Sequence, residues 1–226
     1  RLGYEKVDIV VFAGEGGTFD IGLQSLSGMA ERGHDVLYIL YDNEAYMNTG
    51  IQRSGGTPPF AWTTTSPAGK VLPGKTQGKK PIADIMVAHK IPYVATATPA
   101  HWADLIRKVR KGIEVEGPAF MHTFSPCNRG WRFNTDTAIE LCRRAVDTCY
   151  FPLWEWIHGK GYILTDRSLA IARNPKLKKP IEKFVELQGR FRHILKPENR
   201  HLLKQLQEYV DAVWEDLLGR AINAPK

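Results

Sequence analysis

The feature that most constrains the fold of this sequence is a buried strand that runs into a glycine-rich turn and then a helix. The strand is predicted at 7–12, where β-branched residues dominate, and the turn is Gly-Glu-Gly-Gly at 14–17. The helix that follows carries apolar residues at helical spacing: Phe19, Leu23, Leu26 and Ala30. Gly33 stands where a C-terminal cap belongs, and a second strand is predicted at 36–41. This order of elements predicts a βαβ unit with parallel strands.

Hydrophobic runs and helical patterns alternate again after an irregular segment at 43–80, which is rich in Gly, Pro and Thr. A segment of that length without regular structure is usually functional or held by another chain. Helices are predicted at 81–90, 100–111 and 135–147, and strands at 93–96, 119–123 and, as the last strand, 153–157. The alternation predicts an α/β fold with a mostly parallel sheet.

The C-terminal region is predicted to be helical. From Asn199 onward, apolar residues repeat at helical spacing, so this helix should pack on the body of the protein or on a partner: Leu202, Leu206, Tyr209, Val213 and Leu217. We therefore divide the chain into an α/β domain at 1–160 and a helical extension at 161–226. The first residues enter a core strand almost at once, so we expect earlier elements of the same sheet to be missing.

Composition excludes several classes of protein. The chain has 226 residues, 43% of them hydrophobic, which suits one substantial core. No apolar run approaches the roughly 18 residues of a spanning helix, and there is no signal-peptide pattern, so no membrane contact is expected. Three widely spaced cysteines indicate a reducing cytoplasm rather than a disulfide framework. The formal charge of +7 comes from short basic runs that suit a solvated surface, without any nucleic-acid-binding motif.

The glycine-rich turn and the segment after the second strand together predict a metal-bridged diphosphate site. Backbone amides between a strand and a helix favour a phosphate, although such a turn alone is a weak signal. The dinucleotide fingerprint fails, because its third glycine would fall on Phe19. Glu15 in the first turn and Asn43 after the next strand are expected to be neighbours. With a backbone carbonyl, they could hold Mg²⁺.

These residues resemble the thiamine-diphosphate motif, normally Gly-Asp-Gly followed after about 25 to 30 residues by Asn. Within that superfamily, GEGGTFDIGLQSLSGMAERGHD and YDNEAYMNTGIQRSGGTP closely resemble the β subunit of pyruvate:ferredoxin oxidoreductase. The resemblance continues through AWTTTSPAGK and HTFSPCNRGWRF to the C-terminal helices. It therefore covers nearly the whole chain, and it implies a thiamine-diphosphate-binding α/β fold.

The resemblance also implies which residues bind the cofactor. The diphosphate would be cradled by Gly14, Glu15, Gly16 and Gly17, and the pocket completed by Asn43, Glu44, Ala45, Tyr46, Met47 and Asn48. The Mg²⁺ ligands would be Glu15, Asn43 and the carbonyl of Ala45, and Asn48 would approach the substrate. Glu15 departs from the usual Asp, and its carboxylate reaches one methylene farther.

Cys127, in the segment SPCNRGW, resembles the family's fourth ligand of a [4Fe–4S] cluster near the thiamine. A cubane cluster normally needs four thiolates. The other two cysteines, Cys142 and Cys149, are better interpreted as buried apolar residues. The resemblance places the remaining cluster ligands before this sequence, which then looks like the C-terminal two-thirds of its subunit. Asn128 and Arg129 depart from the usual Pro-Thr.

The activity implied is the oxidative decarboxylation of a 2-oxo acid to acyl-CoA and CO₂, with electrons passed through [4Fe–4S] clusters to ferredoxin. The implied partners are subunits of the α, γ and δ type, ferredoxin and coenzyme A. The glutamate that activates the thiamine would belong to a partner subunit, so no acid or base is assigned here. The substrate stays open among pyruvate, a branched-chain 2-oxo acid and an aryl 2-oxo acid. A non-catalytic role as a scaffold subunit also stays open.

Two other functions fit the residues less well. Residues 69–76 satisfy the P-loop pattern, but neither the strand before it nor the helix after it is predicted, which argues against an ATPase. A decarboxylase of the acetolactate-synthase type would share the diphosphate motif but has no reason for the SPC segment. The histidines, His101 and His122 among them, show no metal-ligand spacing and are expected to be structural or on the surface.

Overall fold

The computed structural model describes residues 7–225, whose centre is a six-stranded sheet. The strands are β1 (Val10–Gly14), β2 (Leu37–Asp42), β3 (Tyr93–Ala97), β4 (Ala119–Phe124), β5 (Trp154–Ile157) and β6 (Gly161–Leu164). Their order across the sheet is β1-β2-β4-β3-β5-β6. The first four are parallel, whereas β5 runs antiparallel to β3 and β6 antiparallel to β5. The predicted α/β fold with a mostly parallel sheet is confirmed.

Helices connect the strands and extend beyond the sheet. They are α1 (Leu23–Glu31), α2 (Ile82–Ala88), α3 (Trp102–Glu114), α4 (Asn128–Trp131), α5 (Ala138–Asp147), α6 (Asp166–Arg173), α7 (Glu182–Val185) and α8 (Arg200–Arg220). The helix predicted after β1 begins instead as a π-helical turn, Gly16–Ile21. Gly22 ends this turn because a Cβ there would lie 2.2 Å from the carbonyl oxygen of Gly17. Gly33, at φ +67°, follows α1 as predicted and donates its N–H to Ala30.

Apolar side chains fill both faces at the centre of the sheet, as parallel strands require, whereas Val10 and Phe12 of the edge strand β1 are 38% and 69% exposed. Every residue of β3 and β4 is buried. On one face, Leu40 and Phe120 pack with α2 and with Trp214 of α8, while on the other Ile39 and Met121 pack with α3. The site described below therefore rests on a rigid sheet.

The helix α8 packs on the body of the protein, but with a shifted apolar stripe. Leu202, Leu206 and Leu217 are buried as predicted, whereas Val213 is 43% exposed. Val210 and Trp214 take the buried positions instead. Val210 and Trp214 lie four and eight residues after Leu206, about one and two helical turns on, and therefore continue its face of the helix.

The prediction that 153–157 is the last strand is wrong, since β6 follows it. Two glycines with positive φ, Gly159 and Gly161, turn the chain into a short hairpin between β5 and β6. The sheet therefore continues beyond residue 160, and the division of the chain into two domains stays a prediction.

Between β2 and α2 the structure has no helix or strand, as predicted for this segment, yet much of it is buried. Lys75 is 2% exposed, and its Nζ donates to the carbonyls of Thr57 and Gly78. Lys75 belongs to the P-loop pattern, and here it holds this segment together from within. No strand directly precedes that pattern and no helix begins at its Lys-Thr, as the sequence predicted.

Among residues 7–225, no helix is both long and apolar enough to cross a membrane.

Candidate cofactor site

A cavity of about 240 Å³ lies at the carboxyl ends of β1 and β2. It is lined by Gly14, Glu15, Gly16, Gly17, Tyr41, Asn43, Tyr46, Met47, Asn48 and Thr49. Eight of the ten residues that the sequence analysis placed in the cofactor pocket are among them. Open parallel sheets place their ligands at this edge, where neighbouring strands end together.

The absence of a side chain at Gly16 and Gly17 determines the shape of this cavity. A Cβ at Gly16 would lie 2.2 Å from the ring of Tyr46, so only glycine lets that ring pack against the turn. A Cβ at Gly17 would meet nothing within 4 Å, and Gly17 is exposed. The space in front of Gly17 is open, as a cradle for a ligand requires.

Three side-chain and backbone groups converge on one point beside this turn. One terminal atom of the Asn43 amide lies 2.8 Å from the carbonyl oxygen of Ala45 and 3.1 Å from Oε2 of Glu15. As an amide nitrogen, this atom donates hydrogen bonds to both oxygens. As an amide oxygen, it would face two other oxygens, an arrangement that a bound cation would stabilise. The predicted metal ligands Glu15, Asn43 and Ala45 are therefore neighbours in space.

Glu15 is unusually placed for a carboxylate. It is 3% exposed, and among the described residues none forms a hydrogen bond with its Oε1. Burial, and then repulsion from Asp42, raises the pKa of Glu15 to about 7. A buried carboxylate without a cationic partner is costly, so this position favours a bound cation or a proton.

Glu44 differs from the prediction, because its side chain does not line the cavity. It is fully buried on the opposite side of the turn and adopts φ +66°. Its Oε1 accepts hydrogen bonds at 2.6 Å from both Lys79 and Tyr150, and its Oε2 accepts one at 2.5 Å from Arg190. These three hydrogen-bond partners explain why the Glu44 side chain points away from the cavity.

Asp42 belongs to the same buried network. Its Oδ2 lies 2.7 Å from Nε2 of His122 and 3.1 Å from Nζ of Lys79. Burial opposes ionisation of Asp42, but Lys79 and His122 outweigh it and hold its pKa at about 2. His122 is thus a structural residue, as predicted. The two acids that flank Asn43 both point away from the cavity.

Tyr46, Met47 and Asn48 complete the cavity wall on the other side. The hydroxyl of Tyr46 donates to Oδ2 of Asp20 at 3.1 Å. Burial and the nearby Asp20 raise the pKa of Tyr46 to about 12, so this hydroxyl stays protonated. Asn48 is exposed at the rim, where an incoming molecule can reach it.

The segment that contains Cys127 lies against the same wall. The indole Nε1 of Trp131 donates to the carbonyl of Asn43 at 2.8 Å. Gly130 packs on Met47, since a Cβ at Gly130 would lie 2.2 Å from the Met47 sulfur. Cys127 itself is half-buried, and its Sγ accepts from the N–H of Gly130 at 3.5 Å.

Neither of the other two cysteines joins Cys127. Cys142 and Cys149 are each 1% exposed, as predicted for apolar core residues, and burial raises their pKa values to about 11 and about 12. Within residues 7–225, no group of three or more His, Cys, Asp or Glu residues could hold a metal ion. A cluster at Cys127 would therefore need ligands from elsewhere.

Sequence reasoning missed the residues that support the turn from behind: Lys79, Trp131, Tyr150 and Arg190. Arg190 and Glu44 are 146 residues apart in the chain. No motif in the sequence joins them, and the only available signal was the unusual pair of acids on either side of Asn43.

Comparison with known proteins identifies the family of the region that contains this cavity. The family described as "Thiamine pyrophosphate enzyme, C-terminal TPP binding domain" matches residues 1–123, which include the turn and Asn43. The fold and the cavity thus define a thiamine-pyrophosphate-binding domain.

Two groups of relatives cover 95% of this chain. The pyruvate synthase subunit PorB of Thermotoga maritima is 51% identical, and that of Methanothermobacter marburgensis is 47% identical. The ketoisovalerate oxidoreductase subunit VorB of Pyrococcus horikoshii is 50% identical. The chain spans 64%, 70% and 66% of the lengths of these three proteins, respectively.

A solved structure of a 2-oxoglutarate:ferredoxin oxidoreductase from Magnetococcus marinus is also similar. It matches with a TM-score of 0.50 and 25% identity, over 61% of this chain and 53% of that one. That structure has 2-oxoglutarate, coenzyme A and succinyl-CoA bound. The chain belongs to the family of thiamine-pyrophosphate-binding PorB and VorB subunits of 2-oxoacid:ferredoxin oxidoreductases.

Proposed function

We propose that this chain is the thiamine-diphosphate-binding subunit of an enzyme that oxidatively decarboxylates a 2-oxo acid. The products are acyl-CoA and CO₂, and the electrons pass through [4Fe–4S] clusters to ferredoxin. One observation carries the proposal: the Asn43 amide lies beside Oε2 of Glu15 and the carbonyl of Ala45, at the edge of a cavity that Glu15 and Asn43 line but Ala45 does not.

The geometry of these groups fits Mg²⁺. Oxygen ligands at adjacent corners of an octahedron with Mg–O bonds near 2.0–2.1 Å lie about 2.9 Å apart. The Asn43 amide atom lies 2.8 Å and 3.1 Å from the two oxygens, which matches that spacing. The unpartnered Oε1 of Glu15 adds a negative charge that a cation would neutralise. The longer side chain of Glu15 would then take the role that Asp usually has in the family.

The chain's own residues bind and orient the cofactor. Glu15, Asn43 and the carbonyl of Ala45 would hold Mg²⁺, and the backbone of Gly14, Gly16 and Gly17 would face the diphosphate. Bound thiamine diphosphate supplies the nucleophilic carbon and the electron sink for decarboxylation. Tyr46 and Met47 would exclude water from one side, while Asn48 at the rim would orient the 2-oxo acid.

Cys127 would serve as one ligand of a [4Fe–4S] cluster. Its segment contacts the cofactor turn through Trp131 and Met47, so a cluster held there would lie close to the thiamine. The other ligands and the remaining subunits would complete the enzyme, in the cytoplasm, with ferredoxin and coenzyme A as partners.

The substrate is a 2-oxo acid, and two candidates have support. The PorB and VorB relatives are nearly equally similar, at 51% and 50% identity. Pyruvate is the first candidate, and a branched-chain 2-oxo acid is the second, because one group of relatives is named for ketoisovalerate.

To test the proposal, the complete complex is purified through this subunit, and its bound thiamine diphosphate, magnesium and iron are measured. A screen of 2-oxo acids for CoA-dependent ferredoxin reduction then identifies the substrate. We expect about one thiamine diphosphate for each copy of this chain, with iron in cluster amounts. A folded complex with iron but no thiamine would contradict the proposal and favour a scaffold subunit.

A further inference from the structure

We propose that Arg190 is a positioning residue: it fixes the turn at 43–45 in the shape that the metal needs and joins that turn to the Cys127 segment. This inference rests on the proposed function, and it assigns a role to a residue far from the cofactor motif in the sequence.

Arg190 is 2% exposed, and it has a specific partner on every side. Its terminal nitrogen donates to Oε2 of Glu44 at 2.5 Å, and its Nε donates to Oε1 of Gln188 at 2.9 Å. Its guanidinium carbon lies 3.7 Å from the centre of the Trp131 ring. A planar guanidinium can stack flat on an indole while its edge bonds a carboxylate, a geometry that the compact ammonium of lysine does not reproduce.

The two main contacts of Arg190 lead to consecutive residues of the cofactor turn. Glu44 is held by its side chain, in a left-handed conformation at φ +66°. Asn43 is held by its carbonyl, which accepts from the indole of Trp131 at 2.8 Å. With the Asn43 carbonyl and the Glu44 side chain both drawn to the back, the Asn43 amide and the Ala45 carbonyl face Glu15.

Within residues 7–225, the other cation that pairs with Glu44 is Lys79, and it does not contact the Trp131 ring as Arg190 does. Lys79 also pairs with Glu44, at 2.6 Å, but it is shared with Asp42 at 3.1 Å. Without Arg190, Lys79 would have to balance two buried carboxylates, and the Trp131 ring would lose its stacking partner. Both supports of the turn would loosen together.

The same contacts extend to the predicted cluster ligand. The N–H of Trp131 donates to the carbonyl of Cys127 at 3.0 Å, so the two residues belong to one rigid turn, α4. Through Trp131, Arg190 therefore fixes the position of the Cys127 segment relative to the cofactor turn.

The experiment uses the complete complex with three variants: Arg190→Lys, Arg190→Met and, as a matched control, Arg144→Met. Arg144 likewise donates to two side-chain oxygens, those of Glu140 at 2.8 Å and Glu186 at 2.7 Å, but it lies on α5, away from the cofactor turn. After removal of the cofactor, Mg²⁺ is titrated in the presence of thiamine diphosphate. The half-saturating Mg²⁺ concentration and the melting temperature are measured for the wild type and for each variant.

Substitution of a residue that orients a metal ligand typically lowers metal affinity by about 10–100-fold. We expect Arg190→Met to raise the half-saturating Mg²⁺ concentration by about tenfold or more, and Arg190→Lys to raise it by a smaller factor. Arg144→Met should lower the melting temperature and leave the Mg²⁺ requirement unchanged.

An assembled Arg190→Met complex with the Mg²⁺ requirement of the wild type would overturn the inference while leaving the proposed function intact. If Arg190→Met does not assemble, Arg190→Lys decides, and an unchanged Mg²⁺ requirement in it would have the same meaning. A wild-type complex that binds no thiamine diphosphate would reject the proposed function itself, along with the role of Arg190.

Discussion

The two sides of the turn at 43–45 differ sharply in how their polar groups are satisfied. Behind the turn, Asp42 and Glu44 are surrounded by cations and a hydroxyl. In front of it, Glu15 has a buried oxygen without a partner and a raised pKa. The back therefore maintains the structure, and the front is left for a ligand. Substitutions on the two sides should accordingly have opposite effects on stability and binding.

The largest expected effect is on the back of the turn. Glu44→Ala leaves Arg190 buried without its carboxylate and leaves Lys79 with Asp42 alone, and breaking such a buried pair typically costs about 3–5 kcal/mol of unfolding free energy. Denaturant or thermal unfolding measures this loss. As a control, Glu208→Ala removes an exposed partner of Lys204, 3.8 Å away, and should change stability by no more than about 0.5 kcal/mol. Equal small effects of both changes would refute the contrast.

On the front of the turn, Glu15→Gln should weaken the binding of Mg²⁺ and thiamine diphosphate strongly, by about 10–100-fold. The folded apo-protein should not lose stability, because the amide has no charge to bury and Glu15 has an oxygen without a partner. Calorimetric titration and melting of the cofactor-free complex measure the two effects. Glu15→Asp, the usual residue of the family, should retain binding. Destabilisation by Glu15→Gln without loss of binding would be the opposite of this expectation.

Two neighbouring glycines provide a matched pair. In Gly16→Ala the new methyl group collides with the ring of Tyr46, and overpacking of this kind costs about 1–3 kcal/mol. In Gly17→Ala the methyl group meets open space, so stability should stay within about 0.5 kcal/mol of the wild type. Thiamine diphosphate affinity should nevertheless fall in Gly17→Ala, because the proposed diphosphate would lie in that space. Unchanged affinity in Gly17→Ala would place the ligand elsewhere.

The smallest expected effect is on the rates at which the three cysteine thiols are alkylated. Because the pKa values of Cys142 and Cys149 are raised to about 11 and about 12, only about 0.1% or less of either is thiolate at pH 8. Alkylation of the cluster-free complex at pH 8 should modify Cys127 first. Modification of Cys142 and Cys149 should become faster as pH rises toward their pKa values, by about tenfold for each pH unit. Peptide mapping by mass spectrometry identifies the modified residues, and fast labelling of Cys149 in the folded protein at pH 8 would contradict its burial.

The sequence could predict the front of the turn but not its back. The strand, the glycines and Asn43 lie within one βαβ unit, so their spacing in the chain determines their spacing in the fold. Arg190 and Trp131 reach the turn only through tertiary packing of the C-terminal region, which no local pattern encodes. For a similar reason β6 was missed: it is a strand of four residues that exists because β5 is beside it.

The π-helical turn after β1 was also beyond sequence reasoning. Apolar spacing from Phe19 to Ala30 suits an α-helix, and one widened turn near the N-terminus changes that pattern little. The orientation of Glu44 could not be predicted either. Its position in the motif suggested the cavity, but three buried partners draw its side chain the other way.

The central claim is that Glu15, Asn43 and Ala45 form the metal site of a thiamine-diphosphate-binding subunit. The most direct measurement is a titration of Mg²⁺ into the cofactor-free complex with thiamine diphosphate present, for the wild type and for Asn43→Ala. We expect saturable binding of about one thiamine diphosphate per chain in the wild type and a loss of about tenfold or more in Asn43→Ala. Equal Mg²⁺ requirements in the two proteins would show that the metal is held elsewhere.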